Sequence, residues 1–249
     1  MRVPRVHATA TLLPDGRVLV TGGADNAGSY AATTSAELYN PGTNTWSLTA
    51  PMSVPRALHS ASLLPNGEVL VAGGASTYVG PGRVYSSAEI FDPSRETWAP
   101  SAPMSVPRYT QTAVALPDGR IVVAGGWSLT AVDAPSLASA EIFDPLAGRW
   151  SATSSMSDGR GQLRMVGLAG GRVLVVGGLS PTYQALPSAE VFDPRSGQWS
   201  ATGAIALGVF WPSLTALQDG RVLVAGGATT RTASSVSPVA ELFLPPPLP

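Results

Sequence analysis

The sequence predicts an all-β fold, a five-bladed β-propeller, from two observations. A pair of adjacent glycines recurs five times, at intervals of 49 to 52 residues: Gly22-Gly23, Gly73-Gly74, Gly125-Gly126, Gly177-Gly178 and Gly226-Gly227. A short apolar run without polar alternation, such as VLVAGG, precedes each pair, so these strands need cover on both faces. A fixed period of this length is typical of radially stacked repeats, because one such unit cannot bury its apolar face alone. We therefore predict a single domain over residues 1–249.

Each repeat carries signals for four short strands, and the second copy shows all of them. The first strand is expected at 57–64 and ends at Pro65-Asn66-Gly67, a tight-turn sequence. The second strand, at 68–72, is rich in β-branched residues and ends at the glycine pair. After a variable loop, a third strand at 87–91 and a fourth that begins at Thr97 complete an antiparallel meander. No segment of the chain has a convincing helical period.

The copies also predict where the blades begin and end. The repeats are expected at about 4–52, 55–104, 107–156, 159–205 and 208–243, followed by a proline-rich tail at 244–249. Because the last copy stops after its third-strand segment, Ala240 to Phe243, we expect the fifth blade to lack its outermost strand. Pro245, Pro246 and Pro247 are expected to blunt that edge, since proline cannot donate to a sheet ladder. A fragment of a longer propeller is the alternative that the sequence leaves open.

Composition and charge exclude several classes of function. The 15 basic and 16 acidic residues nearly balance, so we expect neither a nucleic-acid partner nor binding to an anionic membrane. No apolar run approaches the roughly 18 residues of a spanning helix. No secretion signal is recognised, so we expect a cytoplasmic monomer, with secretion open for a fragment or a mature form. The sequence has no cysteine and no lysine, which excludes thiolate nucleophiles, disulfides and Schiff bases.

Most charged residues recur with the repeat and are expected to be architectural. A glutamate recurs in the third strand and an arginine before the first strand, at Glu37, Glu89, Glu141, Glu190 and Glu241, and at Arg5, Arg56, Arg108 and Arg160. We expect buried ion pairs between them, because each buried charge needs a partner to offset its desolvation. The recurring tryptophans, Trp46, Trp98, Trp150 and Trp199, are expected to pack on their own sheets.

Candidate functional residues are sought where the copies differ. Alignment of the first strands places Arg164 in a column that otherwise contains Thr9, Ser60, Thr112 and Ser213. First strands line the axis of a propeller, where the blades converge and small residues fit best. An arginine at this place can hold a carboxylate, a phosphate or a polarised carbonyl. The alternative is an arginine that plugs the channel, paired with a glutamate or a backbone carbonyl.

Further candidates open the first strands or lie in the loops after the glycine pairs, and we expect them to rim one mouth of the central channel. The ligand-binding candidates are Arg164, His59, Gln111, Gln162, Trp127, Phe210, Trp211 and Tyr78. Four of them are predicted to converge on one cavity: Arg164, His59, Trp127 and Trp211. Aromatic walls with a few polar groups are typical of a small-molecule or peptide pocket. For any single one of these residues, ordinary packing or solvent exposure is the alternative.

Several features of the repeat are shared with a known family. They are the glycine pairs, the Ala-Glu-apolar-aromatic segments such as Ala140 to Phe143, the tryptophans, and Met-x-x-Pro-Arg at Met52 to Arg56 and Met104 to Arg108. In these features the chain resembles kelch repeats, and those of bacterial kelch proteins in particular. The resemblance covers essentially the whole chain and implies a β-propeller. It implies little about function, because kelch propellers serve as protein-binding modules, sugar-processing enzymes and oxidases.

Two functions remain open. The first is a binding propeller that captures a small molecule, a glycan or a peptide at the channel mouth, with no cofactor and no metal. The second is a cofactor-independent isomerase, cyclase or lyase at the same mouth. In that case His59 or His7 would be the acid or base, and Tyr109 a further proton donor. Arg164 would be the electrostatic clamp.

Metal chemistry has little support in the sequence. Copper-oxidase chemistry, which the family resemblance raises, would use a tyrosine cross-linked to a cysteine, and the chain has no cysteine. A zinc or non-haem iron site would need three protein ligands, and no motif spacing supplies them.

Overall fold

The computed structural model describes residues 1–25, 28–79, 82–129, 134–230, 235–238 and 240–244. The three prolines that are expected to blunt the last sheet, Pro245, Pro246 and Pro247, lie outside the described residues.

The described residues form nineteen short strands, four or more residues each, in a regular antiparallel order. The strands are β1 (Thr9–Leu12), β2 (Val18–Thr21), β3 (Ala36–Asn40), β4 (Thr45–Leu48), β5 (Ser60–Leu63), β6 (Val69–Ala72), β7 (Ala88–Asp92), β8 (Thr97–Ser101), β9 (Thr112–Ala115), β10 (Ile121–Ala124), β11 (Ala140–Asp144), β12 (Arg149–Ala152), β13 (Arg164–Gly167), β14 (Val173–Val176), β15 (Ser188–Asp193), β16 (Gln198–Ala204), β17 (Ser213–Ala216), β18 (Val222–Ala225) and β19 (Ala240–Phe243). One 3-10 turn, Ala169–Gly171, is the only helical segment among the described residues.

These strands form five sheets, and within each sheet the strands are hydrogen-bonded in chain order. Four sheets have four strands each, β1 to β4, β5 to β8, β9 to β12 and β13 to β16. The fifth has three strands among the described residues, β17 to β19. The fold is that of a five-bladed β-propeller. The sequence-based prediction of an all-β propeller is therefore confirmed, and within the described residues the last blade has no fourth strand, as predicted.

The chain divides into two compact units. The first comprises Met1–Thr110, Trp127–Ala134 and Phe143–Trp150, and the second comprises Gln111–Gly126, Pro135–Ile142 and Ser151–Pro249. In the first unit the first strands β1 and β5 are neighbours, and in the second β13 lies between β9 and β17. The assignment of the whole chain to one domain stays a prediction.

The second strand of each blade supplies much of the core, as its apolar sequence predicts. Strands β6, β10 and β14 are buried at every position. In the first unit Val69 and Val71 of β6 pack in one cluster with Leu19 and Phe91. Side chains alternate between the two faces of a strand, so a strand that is apolar throughout contributes to the core on both faces.

The glycine pairs are required where neighbouring blades approach closely. Gly125 has a φ of +66°, and a Cβ atom at this position would lie 2.5 Å from the carbonyl oxygen of Arg160, which precedes the next first strand. Gly177 has a φ of +67°, and its Cβ atom would lie 2.3 Å from the carbonyl oxygen of Val209. Only glycine fits both the backbone conformation and the space.

The repeated arginines and glutamates form buried ion pairs, as predicted, and each described pair lies within one blade. The pairs are Arg5–Glu37, Arg56–Glu89 and Arg160–Glu190, with N–O distances of 2.8, 2.8 and 2.9 Å. Each arginine also donates to the carbonyl of the first residue of its glycine pair, Gly22, Gly73 or Gly177. The charged pair thereby fixes the start of the first strand to the end of the second.

The repeated tryptophans pack on their own sheets, as predicted. Trp98 on β8 lies opposite Phe91 on β7, with 5.0 Å between the ring centroids. Its Nε1 donates to the carbonyl of Ala50, in the segment that leads from the first blade to the second, at 3.0 Å. Trp46, Trp150 and Trp199 make equivalent ring contacts at 5.0 or 5.1 Å with Tyr39, Phe143 and Phe192. Each ring therefore covers the aromatic residue of the third strand.

Candidate functional site

The residue two positions before each first strand has a left-handed backbone. These residues are His7, Leu58, Thr110, Gln162 and Trp211, with φ between 51° and 57°. In the first unit the Leu58 amide donates to the His7 carbonyl at 3.0 Å, and the Thr110 amide donates to the Leu58 carbonyl at 2.9 Å. In the second unit the Trp211 amide donates to the Gln162 carbonyl at 2.9 Å. Neighbouring blades are thus linked through backbone groups at the entrance to their first strands.

Arg164, at the start of β13, has few partners for a charged side chain. Its Nη1 donates to the carbonyl of Leu163 at 3.2 Å, and that same carbonyl accepts a bond from Thr112 Oγ1 at 3.0 Å. The side chain is half-buried, and burial lowers the pKa of Arg164. Thr112 and Ser213 begin the two flanking strands, β9 and β17. Arg164 therefore occupies the strand position at which the two flanking strands carry hydroxyl residues.

Four other partly or fully buried arginines provide the contrast. Arg5, Arg56 and Arg160 each have a glutamate partner at 2.8 or 2.9 Å. Arg17, which is partly exposed, has two carboxylate partners, Asp15 and Glu96. Across the described residues Arg164 has no carboxylate within 4.0 Å. If Arg164 plugs the channel, as the alternative prediction has it, its partner is therefore a backbone carbonyl and not a described glutamate.

The remaining candidates of the second unit differ in exposure. Trp211 is 39% exposed, and its ring lies 6.0 Å from the buried ring of Phe210. Gln162 is half-buried, and its Oε1 atom is buried without a hydrogen-bonding partner in the described structure. Gln111 is buried, with 6% exposure. Trp211 and Gln162 are thus partly exposed to solvent, whereas Phe210 and Gln111 are buried.

His59 is a buried histidine that joins two blades. Its Nε2 atom lies 2.9 Å from both Thr9 Oγ1 and Thr21 Oγ1, which belong to the preceding blade. Its Nδ1 atom is buried and has no hydrogen-bonding partner of normal geometry. Burial and, to a smaller extent, the charge of the Arg56 guanidinium lower the pKa of His59 to about 3, although a hydrogen bond with the Arg56 backbone acts in the opposite direction. The imidazole is therefore neutral at physiological pH.

His7 and Tyr78 lie together on the surface of the first unit. Their ring centroids are 4.7 Å apart in an edge-to-face arrangement. His7 is exposed and Tyr78 is half-buried. Partial burial lowers the pKa of His7.

Tyr109 and Trp127 are held to each other by two backbone hydrogen bonds, both of 3.0 Å. Trp127 is only 4% exposed, whereas Tyr109 is half-buried. Trp127, which follows the third glycine pair, thus continues the antiparallel pairing of the first two strands beyond their ends, and its indole is buried.

The candidate residues therefore differ in exposure, and their arrangement around one channel mouth stays a prediction. His59, Gln111, Trp127 and Phe210 are buried, because the residues around the glycine pairs pack between strands. His7, Tyr78, Tyr109, Gln162, Arg164 and Trp211 are at least partly exposed. His59 and Trp127 belong to the first unit and Arg164 and Trp211 to the second. The convergence of these four side chains on one cavity stays a prediction.

Sequence reasoning missed two features of the site that the structure shows. Thr9 and Thr21 hold His59, although they precede it by 50 and 38 residues. The left-handed backbone of the column from His7 to Trp211 was also missed, because the five residue types have nothing in common. The recurrence of their position before each first strand was the one available signal.

The described part of the chain shows neither a metal-binding cluster nor a membrane-spanning helix. No group of three or more histidine, aspartate or glutamate side chains there is arranged to hold a metal ion. Within the same residues, no helix has the length and apolarity needed to cross a bilayer.

A protein-family comparison decides the relationship that the repeat suggested. The model of the kelch motif matches residues 5–53, 108–157 and 166–202, more than half of the chain. The chain belongs to the kelch-repeat family. The matched copies include the repeated arginines Arg5, Arg108 and the glutamates Glu37, Glu141 and Glu190. The specific resemblance to bacterial kelch proteins stays a prediction.

Individual relatives share only part of their sequence with this kelch protein. The F-box protein AFR of Arabidopsis thaliana is 26% identical over 149 residues, which cover 59% of this chain and 36% of AFR. An F-box/kelch-repeat protein of the same plant is 39% identical over 66 residues, which cover 26% of this chain and 16% of that protein. The chain thus spans only about a third or less of the length of these curated relatives.

A solved structure agrees with the kelch fold. The structure of YjhT superposes with a TM-score of 0.75 at 16% sequence identity, and the match covers 97% of this chain and 82% of that one. At this level of identity the likeness shows the fold alone.

Proposed function

We propose that this kelch propeller is a binding module that captures a small molecule, a glycan or a peptide through an anionic group, with Arg164 as the residue that holds the anion. The observation that carries the proposal is the guanidinium of Arg164, which is half-buried and has no carboxylate partner in the described structure. Burial without a counter-charge is costly for a cation. A bound carboxylate or phosphate would supply that charge.

The chemistry of arginine suits this role. A guanidinium has five N–H donors in a planar fork that matches the two oxygens of a carboxylate. The described structure uses one of these donors, for the Leu163 carbonyl. The hydroxyl residues Thr112 and Ser213 begin the strands on either side, and such side chains can donate to further oxygens of a ligand.

The side chains at the entrance of the first strands supply the rest of the proposed site in the second unit. Trp211 offers a partly exposed aromatic face, and its backbone is fixed by the hydrogen bond to Gln162. An aromatic wall beside a few polar groups is the usual composition of a ligand pocket. We propose that Trp211 and Gln162 contact the part of the ligand that carries no charge.

The catalytic alternative has less support. A general acid or base works best with a pKa near the working pH, and the pKa of His59 is lowered to about 3. His7 is exposed, but it lies in the other unit and has no observation that connects it with Arg164. We therefore favour binding over isomerase, cyclase or lyase chemistry, and we expect no cofactor.

The test is a calorimetric titration with anionic probes and their neutral counterparts. The pairs are D-glucuronate with D-glucose for a glycan, and N-acetylglycine with N-acetylglycinamide for a peptide; inorganic phosphate is the third anion. We expect at least one anion to bind about tenfold or more tightly than its neutral counterpart, since a hydrogen bond to a charged group contributes that much. Equal binding of each pair, with no binding of phosphate, would contradict the proposal.

The same titration is repeated with Arg164→Gln and with a control, Arg149→Gln. Arg149 begins the outermost strand β12 and is exposed, so its removal changes the net charge equally without touching the proposed site. We expect Arg164→Gln alone to lose the preference for the anion. Its melting temperature should not fall, because no described carboxylate loses a partner. A marked fall would instead support the plug.

A further inference from the structure

Three aromatic rings form a row on the surface of the first unit. Tyr78 lies in the middle, with its ring centroid 4.7 Å from that of His7 and 5.1 Å from that of Tyr30. Both contacts are edge-to-face, with interplanar angles of 63° and 78°. His7 is exposed, and Tyr30 and Tyr78 are half-buried. The row therefore presents aromatic surface to solvent instead of filling a core.

The two loops that carry the tyrosines are fastened to each other by the backbone. The Ala32 amide donates to the Ser76 carbonyl at 2.9 Å, and Ala31 forms an antiparallel bridge with Thr77. The Tyr30 carbonyl accepts bonds from Thr77 Oγ1 at 3.0 Å and from the Tyr78 amide at 3.4 Å. Loops from two neighbouring blades thus hold the rings in a fixed geometry, as a binding surface requires.

The backbone at two of the three rings is strained. His7 and Tyr30 have φ values of 57° and 54°, in the left-handed region that non-glycine residues seldom adopt. Such conformations cost free energy and persist where the surrounding structure enforces them, often at binding sites. The left-handed backbone of His7 recurs before every first strand, whereas that of Tyr30 belongs to the loop that carries this ring.

The carboxylate of Asp25 lies within electrostatic range of the row, and the imidazole of His7 in the row is expected to carry no positive charge. Asp25 begins the loop that leads to Tyr30, and its Oδ2 accepts a bond from Ser29 Oγ. The pKa of Tyr78 is raised by partial burial, by Tyr30 and by the charge of Asp25, which shows that the carboxylate acts on this ring. The pKa of His7 is lowered, so its imidazole is neutral at pH 7 and does not repel a cation.

We infer that His7, Tyr30, Tyr78 and Asp25 form a binding patch for an organic cation, such as the guanidinium or ammonium group of a peptide side chain. The π-faces of aromatic rings attract cations, and a neighbouring carboxylate adds direct charge attraction. The patch is separate from the anion site proposed at Arg164 and does not depend on it. It extends the ligand chemistry of this protein to basic peptides.

The test is an NMR titration of the whole chain with N-acetyl-argininamide, whose only charge is on the side chain. N-acetyl-citrullinamide is the neutral counterpart of nearly the same shape, and N-acetyl-lysinamide separates an ammonium from a guanidinium. We expect one of the two cations to bind about fivefold more tightly than the citrulline compound, the size of effect known for exposed cation–π pairs. The signals of Tyr30 and Tyr78 should shift with it.

Two variants and a control make the result specific. Tyr78→Leu removes the central ring and Asp25→Asn removes the charge, and each should abolish most of the preference for the cation. Tyr39→Phe is the control, because Tyr39 packs on Trp46 at the outer strands of the blade. A melting curve for each variant confirms that it is folded. Equal binding of the charged and neutral compounds, or a preference that survives in both variants, would overturn the inference.

Discussion

Arg56 and Glu89 form a buried ion pair in the second blade, with 2.8 Å between Nη2 and Oε1. Glu89 also accepts the backbone amide of Ser53 at 2.7 Å, and Arg56 donates to the Gly73 carbonyl at 2.7 Å. The pair therefore ties the segment between two blades to the first, second and third strands of one of them. Neither charge has access to water, so each depends on the other.

Removal of one partner of this ion pair should make the protein less stable. We expect Glu89→Gln to lower the free energy of unfolding by about 3 kcal/mol, since it leaves the buried Arg56 without a counter-charge. Urea denaturation measures the effect. The matched control is Asp118→Asn, which breaks the partly exposed pair with Arg120 and should cost about 1 kcal/mol or less. Similar losses for the two variants would show that burial of the pair is unimportant.

The repeated tryptophans should stabilise their blades. Trp98→Ala removes the ring contact with Phe91 and the hydrogen bond to Ala50. We expect a loss of about 3 kcal/mol, the lower end of the range for aromatic residues, because the ring is half-buried. Trp98→Phe should recover part of it. If the denaturant midpoints of Trp46→Ala, Trp98→Ala and Trp150→Ala all equal that of the wild type, the rings contribute nothing to the fold.

Burial of neutral His59 predicts a dependence of stability on pH. Its pKa is about 3 in the folded protein and 6.5 in the unfolded chain, so only the unfolded chain takes up this proton as the pH falls from 6.5 towards 3. The stabilisation is therefore complete above pH 6.5 and decreases by about 1.4 kcal/mol for each pH unit below it. His7, whose pKa is also lowered, adds a smaller contribution of the same sign near pH 6.5.

The measurement is the melting temperature between pH 4.5 and 7.5 for the wild type and His59→Gln. Carboxyl groups such as Glu37, whose pKa is 4.5 in the unfolded chain and lower in the folded protein, add to the slope only towards pH 4.5, and they do so equally in the two proteins. We expect the variant to be less stable at pH 7.5 but to lose less stability on acidification. Parallel curves for the two proteins would contradict the assignment of the slope to His59.

The features of this structure that could be predicted from the sequence are those that recur with the repeat. Residues that recur in four or five copies, such as Arg56, Glu89 and Trp98, have roles set by the blade itself, so the sequence shows those roles repeatedly. The environment of His59 could not be predicted in this way, because it depends on contacts with Thr9 and Thr21 from another blade. The exposure of Trp127 was also not predictable, since a residue after the glycine pair can point into the core or out of it.

The role of Arg164 could be predicted from the sequence only in part. Its departure from the column of Thr112 and Ser213 is visible in the sequence, and it identified the residue as a candidate. The lack of a described carboxylate partner is not visible there, because the sequence alone does not exclude a glutamate of the repeat as the partner of Arg164. Only the geometry of β13 between β9 and β17 distinguishes a paired arginine from an unpaired one.

The most direct test of the proposed anion site is the NMR signal of the Arg164 side-chain Nε–H during addition of D-glucuronate, N-acetylglycine and phosphate. The signal is assigned by its absence from the spectrum of Arg164→Gln. We predict a saturable shift of this signal with at least one of the anions, and none with D-glucose or N-acetylglycinamide. An Arg164 signal that stays unmoved up to saturation with every anion, while other arginine signals shift, would contradict the account.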